Sequence, residues 1–350
     1  MSNQHRMQLP REILVGPDAI NDVRKILEKL GFHNRILILT GEKTKIIAGE
    51  RVEKQLKEAG YKITLRIVGK ASVEEANIVA GESLENPPSV VIGIGGGSVI
   101  DMTKVVASKL SKPYISIPTT ASHDGIASPR ASIKGTDKVY SIEAEAPLAI
   151  IADTNIIRMA PYRFFASGCA DLISNSTAVM DWRLAHLKTG EYFGDYAASL
   201  SNMAAEIIIK NAQMIKEFND QSIRVVLEAL ISSGVAMSIA GSSRPASGSE
   251  HLFSHSIDLL TSNTALHGEK CGVGTIIAMY LHKGDWKLIR KTLKIIGAPT
   301  TAEELGLPKN ILVEALLKAP GVRPDRYTIF NEVKLDYSKA DRILKKIAVI

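Results

Sequence analysis

Residues 90–109, VVIGIGGGSVIDMTKVVASK, constrain the fold more than any other stretch of this chain. An apolar strand-like run ends in consecutive glycines, and the residues that follow repeat at helical spacing. Glycines in such a turn let the backbone approach a pyrophosphate, and the amides at a helix N-terminus attract its charge. The spacing departs from GxGxxG, because Ser98 stands at the third glycine position. Ser98 is placed as the helix N-cap, with Asp101 three residues on as in a capping box. A tight turn between packed elements would also use these glycines, so the loop alone leaves both readings open.

The surrounding sequence repeats the theme. RILILTG (35–41), YKITLRIV (61–68), PYISIPTT (113–120) and PLAIIAD (147–153) read as further strands. GERVEKQLKEAG (49–60) and SVEEANIVAGES read as helices between them. Strands alternating with helices predict a parallel sheet with helices on both faces. After Pro161 the pattern becomes helical: FFASGCADLISNSTAVMDWRLAHLK, DYAASLSNMAAEIIIKNAQMIKEF and SIRVVLEALISSGVAMSIAG carry almost no strand signal. The expected architecture is an α/β Rossmann-like domain at 1–158 and an all-α domain at 159–350.

Composition narrows the class. The 350 residues are 45% hydrophobic and 23% charged, the balance of a globular protein. No uncharged apolar run approaches the ~18 residues of a membrane span, and the N-terminus lacks an apolar signal core. The two cysteines, Cys169 and Cys271, form no CxxC pair, which speaks for a reduced, cytoplasmic setting and against a cysteine zinc knuckle. The net charge of +6 is scattered along helices beside acids, and aromatics are only 5%. Both argue against a nucleic-acid-binding surface. The tail DYSKADRILKKIAVI reads as an amphipathic helix packed on its own domain.

A second loop, SIPTTASHDGIASPRASI (116–133), follows the next strand. Carboxyl ends of strands are where open α/β sheets bind ligands. Thr119, Thr120 and Ser122 can hydrogen-bond a cofactor and Asp124 a substrate hydroxyl, although Asp124-Gly125 and Ser128-Pro129 also suit plain turns.

Three of the eight histidines fall in SEHLFSHSIDLLTSNTALHGEKCG (249–272). His251 and His255 are four apart, hence on one helix face; His267 opens another helix. A catalytic zinc takes about three protein ligands, and Asp171 in ASGCADLISN is the best carboxylate partner. His5, His33, His186 and His282 read as solvent-exposed.

These motifs coincide in order. With IGIGGGSVIDMTKVVA, IPTTASHDGIASP, ADTNIIRMAPYRFFASGCADLISNSTAVMDW, GSEHLFSHSID and LHGEKCGVGT, the chain resembles the archaeal-type glycerol-1-phosphate dehydrogenases of the iron-containing alcohol dehydrogenase and dehydroquinate synthase-like superfamily. The resemblance covers most of residues 88–275. It implies a dehydroquinate synthase-like fold with the active site in the cleft between two halves. It also implies reduction of dihydroxyacetone phosphate to sn-glycerol 1-phosphate by NADH or NADPH, for ether-linked membrane lipids. Carried over by motif, Asp171, His251 and His267 bind one zinc per subunit. Asp124, Asp171 and His255 are substrate-binding and catalytic. Gly97, Ser98, Val99, Ile100, Asp101, Thr119, Thr120, Ala121, Ser122 and Ser128 bind the cofactor. A homo-oligomer, dimeric or higher, is expected, with no nucleic acid and no integral membrane association.

Rivals are a glycerol dehydrogenase acting on unphosphorylated polyol and, more remotely, a 3-dehydroquinate synthase. Arg130, Lys134 and Lys270 are candidates for the substrate phosphate. Glu42 would disfavour NADP and Lys43 favour it, which leaves the cofactor choice open.

Overall fold

The protein is described by a computed structural model covering residues 5, 7–69, 71–134, 139–262 and 264–350, without the side chains at 134 and 139–141. The chain forms two compact units, Met1–Pro161 with Phe218–Ile239, and Tyr162–Glu217 with Ala240–Ile350.

The first unit holds a six-stranded, wholly parallel sheet. Its strands are β1 (Glu12–Gly16), β2 (Arg35–Thr40), β3 (Lys62–Ile67), β4 (Val90–Gly95), β5 (Tyr114–Pro118) and β8 (Ala149–Asp153), in the order β1-β8-β5-β4-β2-β3. Central β4 and β5 are buried along their whole length, while edge strand β3 has only half-buried and exposed positions. That is why the central strands read as continuous apolar runs. One core packs Ile36, Ile38, Ile92, Ile94 and Ile115 on one face, and another packs Leu37, Leu39, Val91, Met102 and Val106 on the other.

Two features go beyond the sequence reading. β1 adds a sixth strand beside β8, and β6 (Arg130–Lys134) and β7 (Val139–Glu143) form a separate antiparallel pair. β1 is only half-buried and carries a mixed pattern, and the β6–β7 pair is flanked by charges, so neither gives a clean strand signal.

The order of strands reverses beside β2, since β3 lies on one side of it and β4 on the other. Ligands of doubly wound sheets bind outside the carboxyl ends of the strands at such a switch. Here those ends are Thr40 and Gly95, and Thr40 Oγ1 donates to Ile94 O at 2.8 Å across them.

Helix Asp220–Ala240 is long and apolar enough to cross a bilayer by length and composition. Most of it is buried in the fold instead, and Gly234 packs against the Ala127–Ser128 backbone, where a Cβ would lie 2.7 Å from Ala127. The sequence groups this helix with its helical neighbours, whereas in three dimensions Phe218–Ile239 sits with the sheet.

All regular elements described after Pro161 are helical. Tyr162–Thr189, Ser249–Leu260 and His267–Leu281 pack on one another within the second unit. Helix His267–Leu281 comes close because of its glycines. A Cβ on Gly268 would stand 2.0 Å from Ser167 O, and one on Gly274 would stand 2.8 Å from Glu250 O. The C-terminal helix Tyr337–Lys346 buries Ala340 and Leu344.

Candidate active site

The glycine turn between β4 and helix Gly97–Lys109 lies at the switch point. Its helix begins two residues earlier than expected from the sequence. The N-cap is Gly96, in extended conformation and with no side-chain cap, rather than Ser98. Ser98 instead accepts a hydrogen bond from Ala71 N at 2.9 Å. Asp101 is buried too deep to cap: it accepts from Lys104 Nζ at 2.9 Å and from Ser132 N at 3.2 Å. Lys104 is itself buried, and its second bond goes to Arg130 O at 2.6 Å. Buried charges persist only when paired, so this cluster ties the helix to β6.

Val99, Ile100 and Ala121 bury their side chains, leaving their backbone for any ligand contact. Thr119 N donates to Gly95 O at 3.0 Å, which brings the hydroxyl loop onto the glycine turn. Thr119 Oγ1 is buried with no hydrogen-bond partner among the described residues, and Thr120 Oγ1 lies 3.4 Å from Ser122 Oγ. Ser128 Oγ donates to Arg130 O at 3.3 Å. Asp124 Oδ2 accepts from Ser233 Oγ at 2.8 Å, so helix Asp220–Ala240 orients it.

His123, which the sequence reading passed over, fills the cradle of the loop. A Cβ on Gly97 would stand 1.9 Å from His123 Nε2, and His123 Nδ1 accepts from Gly125 N at 3.0 Å. Its sequence signal was its place between the hydroxyl run and Asp124.

In the second unit, Asp171, His251, His267 and Cys271 present donor atoms that all lie within 4.8 Å of one another. Asp171 Oδ1 is 3.9 Å from His251 Nε2 and 3.6 Å from His267 Nε2. Metal–donor lengths of about 2.0–2.2 Å place neighbouring donors of a tetrahedral zinc roughly 3.4 Å apart. A carboxylate and two imidazoles at these distances fit a zinc ion.

Three buried side chains absent from the sequence reading hold this group in place. Glu250 Oε1 lies 3.0 Å from His251 Nδ1 and accepts from Gly248 N, while its Oε2 accepts from Thr177 Oγ1 at 2.8 Å. A carboxylate on one ring nitrogen turns the other, Nε2, toward Asp171. Glu269 caps the His267 helix by accepting from Leu266 N at 2.7 Å, and Arg163 braces it at 2.5 Å. Asp181 accepts from Ser249 N at 2.7 Å and Ile329 N at 2.7 Å, and pairs with His282 Nε2 at 2.9 Å. His282 is therefore not the exposed histidine that the sequence suggests.

Burial would lower the His251 pKa, but Cys271 and Glu250, by charge and hydrogen bond, hold it well above its usual value. A metal cation at this group would displace that proton. His255 behaves oppositely. Burial, and after it the charges of His251, Lys270, Arg323 and Arg326, push it down to about 3. Its ring stands 6.3 Å from that of His251 and 5.9 Å from that of His267. Lys270, buried, pairs with Asp258, one turn beyond His255. Of the other two phosphate candidates, Arg130 pairs with Glu143 at 3.6 Å in the first unit, and the Lys134 side chain lies outside the described residues.

A sheet with a glycine turn at its switch point, carried on one chain with an Asp–His–His–Cys group that could hold a metal, is an arrangement that suits a dinucleotide-dependent dehydrogenase. The family model for iron-containing alcohol dehydrogenases matches residues 14–161. The glycerol-1-phosphate dehydrogenase [NAD(P)+] of Methanosarcina mazei is 51% identical over 98% of this chain and 96% of its own. That of Pyrococcus horikoshii is 49% identical over 99% and 100%. The chain belongs to the glycerol-1-phosphate dehydrogenase family. Among solved structures, glycerol dehydrogenase from Schizosaccharomyces pombe matches with a TM-score of 0.83 and 22% identity over 99% of this chain and 91% of that one. Sulfoacetaldehyde reductase from Bifidobacterium kashiwanohense, in complex with NAD+, matches at 0.76 and 18% over 99% of each. At such identities these two speak for the fold alone.

Proposed function

We propose that this protein reduces dihydroxyacetone phosphate to sn-glycerol 1-phosphate with NADH or NADPH, using one zinc held by Asp171, His251 and His267. The observation that carries the reading is the donor group itself, present in a chain half identical to named relatives of that activity. When bound, zinc supplies Lewis acidity toward a ketone oxygen and the reduced nicotinamide supplies hydride.

The chain's own residues do the rest. The glycine turn, the Thr119–Ser122 backbone and hydroxyls, and Ser128 bind the dinucleotide. Asp124, oriented by Ser233, holds a substrate hydroxyl. His255, with its pKa pushed down to about 3, is neutral at neutral pH. It therefore relays a proton to the product oxygen through its ring nitrogens rather than storing one. The product serves as a lipid backbone made in the cytoplasm, and the resemblance adds a homo-oligomer.

A phosphorylated substrate is favoured over free polyol by the charge around His255. Lys270, Arg323 and Arg326 all act on it, and cations so placed suit a phosphate. Lys270 is thus the sequence candidate that this reading keeps. Zinc-loaded protein should consume NADH or NADPH with dihydroxyacetone phosphate, and do so at least about 10–100-fold less efficiently with dihydroxyacetone, the worth of one or two charge-assisted hydrogen bonds. Equal efficiency would favour a glycerol dehydrogenase.

The glycine loop has its own test. Gly97→Val drives a branched side chain into His123 and is expected to raise the Kd for NADH about tenfold or more, with zinc content unchanged. The double variant Gly97→Val/His123→Ala separates two causes in a titration of NADH fluorescence. Full recovery of affinity would mean that Gly97 only makes room for the imidazole. Continued weakness would mean that the dinucleotide needs the bare backbone.

A further inference from the structure

We propose that Cys271 is a fourth protein ligand, a thiolate added to the metal site of Asp171, His251 and His267, with a fifth coordination position left for the ketone oxygen. The inference rests on the reading of those three as the metal site and goes beyond it by adding a donor. Cys271 Sγ lies 3.6 Å from His267 Nε2, and all four donor atoms fall within 4.8 Å of one another. With a metal–sulfur length of about 2.3 Å and a metal–nitrogen length of about 2.1 Å, two neighbouring ligands of a tetrahedral ion stand roughly 3.6 Å apart. The observed sulfur–nitrogen distance matches that of shared ligation; Sγ also lies 4.0 Å from His267 Nδ1, so the imidazole must turn about its Cβ–Cγ bond for Nε2 and the sulfur to take one ion.

The local fold enforces this placement. His267 and Cys271 are four apart on helix His267–Leu281 and so share one face. Gly268 brings that face against Ser167 on helix Tyr162–Thr189, which also carries Asp171. Cys271 and Asp171 are both buried, so the sulfur is turned into the donor group and away from solvent. The other cysteine, Cys169, is equally buried but stands outside the group.

Ligation breaks the Cys271 S–H bond, forms a metal–sulfur bond and releases the proton to solvent. A soft thiolate added to one carboxylate and two imidazoles shifts the preference of the site from ferrous iron toward zinc. It thereby gives a physical reason for zinc in a chain related to iron-containing alcohol dehydrogenases.

The test uses the whole chain, stripped of metal and loaded with cobalt(II) as a spectroscopic substitute for zinc. Wild type should bind one cobalt and show an intense sulfur-to-cobalt charge-transfer band in the near ultraviolet. Cys169→Ser should keep that band. Cys271→Ser should bind cobalt without it, and in competition with a chelator its zinc Kd should rise more than the ~10–100-fold expected when only a supporting contact to a ligand is lost. One cobalt bound to wild type with no charge-transfer band would overturn the thiolate ligand while leaving the three-ligand site standing. A band that persists in Cys271→Ser would overturn it equally. No cobalt bound to wild type would overturn both readings. Should Cys271→Ser prove unfolded by circular dichroism, Cys271→Ala and the wild-type spectrum decide on the same criteria.

Discussion

His251→Ala is expected to lose its zinc on dialysis and to drop turnover by several orders of magnitude, whereas His255→Ala keeps its zinc. The two histidines sit one turn apart, yet their surroundings assign them different work. His251 faces Asp171 and is braced by Glu250, so its removal opens the donor group itself. A site stripped of one of its few protein ligands no longer holds zinc against a chelating buffer. His255 lies beside the group, its ring 5.9 Å from that of His267, and feels the charges of Lys270, Arg323 and Arg326. Its loss leaves the ligands intact and costs turnover ~10²–10⁴-fold, the usual worth of a positioned proton-transfer group. Metal analysis and steady-state rates on both variants check this. Equal zinc loss from the two would mean that the pair ligates together and that Asp171 or His267 is misassigned. Retention of zinc by both would move the metal elsewhere.

Asp181→Ala should destabilise the second unit by about 3–5 kcal/mol, the cost of stranding several buried donors. Asp181 is fully buried and accepts from the amides of Ser249 and Ile329, with His282 as a third partner. The Ser249 amide opens the helix that carries His251 and His255. Losing this anchor should therefore lower the melting temperature by roughly 10 °C and weaken zinc binding together. Asp181→Asn, which keeps one carbonyl acceptor, should fall between wild type and Asp181→Ala in a thermal melt. An unchanged melting temperature for Asp181→Ala would show that water replaces the carboxylate and that it is no anchor.

Much of this molecule is legible in the chain. The central strands announce themselves because strands buried on both faces must be apolar throughout, as β4 and β5 are. The helices of the second half show in their periodicity, and SVEEANIVAGES, read as a helix, forms helix Val73–Glu82. His251 and His267 could be picked out because spacing on a helix is a local property. The glycine loop was legible for the same reason, since a turn of consecutive glycines between a strand and a helix is written in adjacent residues.

What stayed hidden depended on partners far away in sequence. Gly96 rather than Ser98 caps helix Gly97–Lys109 because Ser98 is drawn to Ala71 and Asp101 to Lys104 and Ser132. Helix Asp220–Ala240 reads as one of a helical series, yet Ser233 reaches Asp124 across 109 residues. Glu250, Asp181 and Cys271 look like an ordinary helix acid, another helix acid and an unpaired cysteine. Each gains its role only when helices Tyr162–Thr189, Ser249–Leu260 and His267–Leu281 pack closely enough to bury it. Sequence periodicity, a local property, determined which segments are strands and helices and which residues carry chemistry. Tertiary packing decided which of those residues meet, because a buried charge or donor persists only where the fold supplies its partner.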